Sequence, residues 1–146
     1  MKSLLIIFAI SLFVRIANLL VINLNIDTYI VEDQNLYWNW ALAKSFTNNS
    51  TIETATLLER MPGAFLFYQF LIFLVGKSLF GIFFIQSILD SINCVLIAFI
   101  ARKIKPSLFI LAGYLAAFSP LMIIISSQML SDTLFLFFFL IFIFLF

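Results

Sequence analysis

The apolar positions of the chain gather into five runs separated by short polar breaks and one long one. Residues 4–24 (LLIIFAISLFVRIANLLVINL) form the first, 21 residues long. At about 1.5 Å rise per residue, such a helix crosses a hydrocarbon core of about 30 Å. Lys2 precedes it as in a signal peptide, but Arg15 interrupts the run and no small-residue cleavage site follows. It therefore reads as a retained anchor. Residues 25–60 are polar and hold five of the seven acids. Gly63 to Val75 is a run of 13 residues between Pro62 and Gly76-Lys77. It would reach only about 20 Å, a length more common in interfacial or re-entrant segments than in spanning ones. Runs at 79–101, 107–125 and 133–146 complete the pattern.

Composition fixes the solvent that these runs expect. Hydrophobic residues make up 64% of the 146 positions and charged residues 10%, against roughly 25% charged in a soluble domain. The expected fold is all-α and integral to a membrane. It has about four transmembrane helices and one interfacial or re-entrant helix in a long outer loop spanning residues 25–78. A net charge of +1, no His and no basic run give no footprint for nucleic acid, so membrane lipid is the first expected partner. A single cysteine, Cys94, excludes an internal disulfide.

Positive charge sets the orientation. Arg102, Lys103 and Lys105 separate two apolar runs and should face the cytoplasm, as should Lys2. Both signals agree only if Gly63–Val75 does not cross. Residues 25–78 and 126–132 then lie outside.

Against that topology the stretch VEDQNLYWNWALA, residues 31–43, stands out. Glu32 and Asp33 sit just beyond the outer end of the first helix, and Tyr37, Trp38 and Trp40 suit the aromatic belt at headgroup level. Asp33, Tyr37 and Ala41 recur at i, i+4, i+8 and share one helical stripe. One reading is an interfacial helix whose acids complement the helix dipole. The other is a carboxylate held at the membrane surface as a base or metal ligand. Arg15 and Asp90 fall inside membrane runs, where ionisable side chains are costly and normally paired. Arg15 is nine residues in from Leu24 and Asp90 nine in from Gly81, so each lies about 13 Å below the outer surface. Equal depth favours a structural ion pair over catalysis. The glycosylation sequons in Asn48-Asn49-Ser50-Thr51 carry little weight, because short polar loops contain them by chance.

DQNLYWNWA resembles the D-x-x-x-Y-x-x-x-A signature after the first helix of polyprenyl-phosphate-sugar-dependent glycosyltransferases. These are the C superfamily, which includes protein O-mannosyltransferases and the lipid A aminoarabinose transferase. RMPGAFLFYQFLIFLVGKSLFG, IQSILDSINCVLIAFIARKI and AAFSPLMIIISSQMLSDTLF resemble the blocks that follow, in order, over nearly the whole chain. The chain departs from the family in having Pro62-Gly63-Ala64-Phe65 where a double proline and a Tyr are frequent, and in being several times shorter.

The resemblance implies an inverting transfer of sugar from a polyprenyl-phosphate donor to an acceptor on the outer face of a bacterial inner membrane. It makes Asp33 the general base, with Glu32 a lesser candidate and Tyr37 its motif partner. It gives Arg60 to the lipid phosphate, a role that suits its planar fork of donors, although Arg60 also reads as a snorkelling interfacial cation. It gives Asp132 to donor or metal binding, while the same residue also reads as a helix-opening cap. A divalent metal is the only cofactor that it suggests. The chain is then expected to be the N-terminal transmembrane portion of a larger protein, since its last apolar run stops without a flanking charge, and as a fragment to be inactive alone. A small non-enzymatic membrane subunit with a docking loop is the alternative, and a transporter fragment is third.

Overall fold

The computed structural model describes residues 2–22, 24, 29–30, 33–42 and 62–146. These residues are all-helical, with no strand among them. α1 spans Lys2–Val21, α2 Asp33–Leu42, α3 Pro62–Val75 and α4 Leu79–Ile104. A 3₁₀ turn at Pro106–Leu108 leads into α5, Phe109–Ala117, followed by α6, Pro120–Ile125, and α7, Asp132–Leu145.

α4 is the central helix, with α1, α3, α5 and α7 packed around it. Ser78 opens it, its hydroxyl accepting the Gly81 N–H at 3.2 Å. Arg102 and Lys103 close it, in the last turn where the helix dipole favours cations. α1 lays Ile7, Ser11, Arg15 and Leu19 against the bundle, a spacing of four that forms one continuous ridge. Contacts fix the directions. Arg15 meets Asp90 and Ser11 meets Cys94, so α1 and α4 are antiparallel. Gly113 lies beneath Ile7 and Ala117 beneath Arg15, so α5 runs with α1. Asn93 reaches Thr133 and Lys103 reaches Phe144, so α7 runs with α4. Gly76, at φ +68°, turns α3 back onto α4, a left-handed conformation that glycine adopts at little cost.

One end of the bundle therefore gathers Lys2, Arg102, Lys103 and Lys105, and the other holds the end of α1, the start of α4 and residues 126–131. α2 and α3 belong to the second end, where Tyr37, Phe65, Tyr68, Phe83 and Met129 share one apolar cluster.

Two helices, Lys2–Val21 and Leu79–Ile104, are long and apolar enough to cross a membrane. The expectation of about four is corrected at residues 107–125, which do not form one helix. Pro120 has no amide hydrogen for the helix ladder and disfavours α geometry in the residue before it. Ser119 is accordingly extended, at φ −64° and ψ 116°, and the segment divides into α5 and α6. α7 has 14 residues and α3 also 14, both below spanning length.

Beside its apolar clusters the interior encloses charged and polar side chains, while many large apolar side chains face outward. Arg15 is 0% exposed and Asp90 2%, with Gln86 and Asn93 equally enclosed, while Phe73 is 83% exposed and Phe13, Leu115 and Phe138 also face outward.

Candidate functional site

Two polar layers occupy the interior. The deeper one is built on Arg15. Its Nε and Nη2 each lie 2.6 Å from Asp90 Oδ2. Nη1 donates to Ser11 Oγ at 2.6 Å, to Ser11 O at 3.1 Å and to Ala117 O at 3.3 Å, and Nη2 approaches Cys94 Sγ at 3.3 Å. The Ala117 carbonyl needs a partner because the break at Ser119-Pro120 removes the next helical turn. Arg15 thus supports the interruption in the fold as well as neutralising Asp90. Asn93 Nδ2 donates to Asp90 Oδ1 and to Thr133 O, both at 3.3 Å, which extends the layer to α7.

The second layer lies nearer the α2 end and consists of side chains gripping the backbone of residues 125–130. Gln86 Nε2 donates to Gln128 O at 2.7 Å and to Ile125 O at 3.1 Å. Tyr68 donates to Leu130 O at 2.7 Å and lies 3.1 Å from Gln86 Oε1. Tyr29 donates to Ser127 O at 2.7 Å. Gln34 Oε1 accepts the Met129 N–H at 3.0 Å. Irregular backbone is stable away from water only when its polar groups find such partners. Burial above all holds the Tyr68 phenol well above its ordinary range, with Tyr37 and Asp132 adding to the shift, so it serves as a neutral donor.

This layer connects two of the candidate residues. Asp33 is exposed in the first turn of α2, immediately before Gln34, and Asp132 is exposed at the first residue of α7, three positions after Met129. The Gln34–Met129 bond ties the two segments together at one end of the bundle. Tyr37 is buried against Phe65 and Tyr68, with ring centroids 5.0 and 6.0 Å away. The expectation of an aromatic belt is corrected here. Tyr37 and Trp38 are enclosed and the Trp40 ring lies tilted beside Phe65 at 4.8 Å, because α3 packs against α2. The stripe of Asp33, Tyr37 and Ala41 divides in the same way, with Tyr37 and Ala41 inside and Asp33 outside.

Glu32, Arg60 and the sequons at 48–51 lie outside the described residues. Among the described residues no three His, Cys, Asp or Glu side chains gather as a metal cluster. The described donors do not by themselves build a divalent-ion site. Gln34, Tyr68 and Gln86 are the residues that charge-based reading overlooks. Gln86 carries the same signal as Asp90, a polar side chain inside an apolar run.

Comparison of the chain with protein-family models, with curated proteins and with solved structures finds no match.

Proposed function

We propose that the chain is a polytopic membrane protein with the organisation of a polyprenyl-phosphate-sugar-dependent glycosyltransferase, its reaction end on the outer face. The burial pattern supports the membrane reading, because outward Phe and Leu together with enclosed Arg15, Asp90 and Gln86 suit a lipid solvent. In that setting α1 and α4 cross as continuous helices, the broken pair α5–α6 returns the chain to the outer end, and α3 stays at the outer interface. Irregular backbone at the Ser119-Pro120 break is tolerated because Arg15 satisfies it.

The observation that carries the transferase reading is the Gln34–Met129 bond, which sets the motif helix beside the segment leading to Asp132. Asp33 would take the proton of an acceptor hydroxyl as its oxygen attacks the sugar C1. The bond from C1 to the lipid phosphate oxygen breaks, and its electron pair leaves with the phosphate. A positioned base contributes about 10²–10⁴-fold to such a step. Asp132 would face the donor, with Arg60 pairing its phosphate.

Photoreactive polyprenyl-phosphate sugar, added to membranes containing the chain, tests this directly. Crosslinks to peptides covering 33–42 and 126–132 are expected, with competition by unlabelled donor. Capture no better than that of the uncharged polyprenol would favour a non-enzymatic subunit and reject the transferase reading.

A further inference from the structure

The end of the bundle opposite Asp33 carries its own recognition chemistry. Arg102, Lys103 and Lys105 fall within four residues, all exposed, and Lys2 lies at the same end. The acids among the described residues are Asp33, Asp90 and Asp132. Two of them belong to the other end, and Asp90 is engaged by Arg15. The cluster therefore has no acidic side chain beside it among the described residues.

The cations are also held in place. Phe99 lies one turn before Arg102 and Lys103 and packs against Phe109 of α5 at 6.4 Å and Phe144 of α7 at 5.9 Å. The Arg102 guanidinium sits over the Phe109 ring at 5.8 Å, and Lys103 Nζ sits over the Phe144 ring at 4.4 Å while donating to the Phe144 carbonyl. Cation–ring contacts of this kind restrain long side chains that otherwise lose rotamer entropy on binding. Two cations from adjacent positions are thus anchored on rings of two different helices, above an aromatic trio. Beside them, Ile104 is 79% exposed and Leu111 and Leu115 continue an outward apolar strip along α5. Charge above and hydrocarbon below match an anionic glycerophospholipid, with its phosphate between the cations and its acyl chain along α5.

We infer that Arg102, Lys103 and Lys105 form a binding site for the headgroup of an anionic glycerophospholipid in the cytoplasmic leaflet. The site presupposes the membrane reading but none of the transferase chemistry. Each Lys or Arg near an anionic surface contributes a factor of about five in affinity. Loss of all three should weaken binding on the order of a hundredfold.

The test uses the full chain in mild detergent, titrated with phosphatidylglycerol or phosphatidylcholine and read by native mass spectrometry. Phosphatidylglycerol should be retained preferentially, with retention falling as NaCl rises. R102Q/K103Q/K105Q should lose that preference, and K105Q alone should lose about fivefold. The wild-type salt and lipid series decides the matter even if the triple variant fails to fold. Equal retention of the two lipids, or phosphatidylglycerol retention unchanged in K105Q and insensitive to salt, would overturn the site. A chain that stays in solution without detergent would instead overturn the membrane reading itself.

Discussion

Replacing Arg15 by Leu should be among the most damaging single changes in the protein, and the structure shows how the loss divides. The substitution leaves the Asp90 carboxylate buried without its cation, a situation that costs about 3–5 kcal/mol. It also strands the Ala117 carbonyl at the α5 break, worth about 1–3 kcal/mol more. A total of about 4–8 kcal/mol is therefore expected. Asp90→Leu leaves Arg15 with Ser11 and Ala117 but without its counter-charge. Because a guanidinium does not deprotonate, that variant should lose about 3–5 kcal/mol. In the double variant no uncompensated charge remains, and only the unmet Ala117 carbonyl persists, at about 1–3 kcal/mol. The cycle should therefore show a coupling of several kcal/mol, measured by denaturant unfolding in detergent micelles. Single losses that add to the double within about 0.5 kcal/mol would refute the pairing as an energetic unit.

Three further outcomes follow from the same geometry. In a full-length transferase carrying this segment, Asp33→Asn should abolish sugar transfer in a lipid-donor assay while the protein still inserts, and Glu32→Gln should be milder by at least about tenfold; wild-type turnover in Asp33→Asn would remove the base assignment. Gln86→Leu removes the side-chain donor from the Ile125 and Gln128 carbonyls, each of which keeps one backbone N–H, and should cost about 1–3 kcal/mol, with faster hydrogen exchange across 126–130 as the direct readout. At Gly113 a Cβ would sit 2.6 Å from Ile7 Cδ1, so Gly113→Leu should cost about 1–3 kcal/mol in the same unfolding assay, with partial rescue by Ile7→Ala.

The parts of this fold that are readable from sequence are those governed by length and by the cost of charge in an apolar setting. α1 and α4 follow from long apolar runs, and two opposite charges at equal depth leave Arg15 and Asp90 few partners but each other. The division at Ser119-Pro120 is harder to read because the apolar run continues through it, so hydropathy registers one segment where backbone chemistry makes two. Trp38 and Tyr37 look like interfacial anchors until α3 is known to cover them, a contact between residues almost thirty positions apart. Gln34, Tyr68 and Gln86 escape notice for a related reason. They are neutral, and their partners are backbone groups of residues 125–130, which no side-chain pattern advertises.

The central claim is that the Asp33 and Asp132 end and the Lys2 and Arg102–Lys105 end lie on opposite faces of a membrane, with the acids outside. Single cysteines at Ser78, Ser107 and Ser131, each in a Cys94→Ala background, report it most directly. Ser78 and Ser131 belong to the first end and Ser107 to the second. Membrane-impermeant maleimide applied to intact cells should label 78 and 131 and spare 107 until the membrane is opened. Equal labelling of all three positions would contradict the two-ended arrangement, and labelling of 107 alone would turn the proposed reaction end inward.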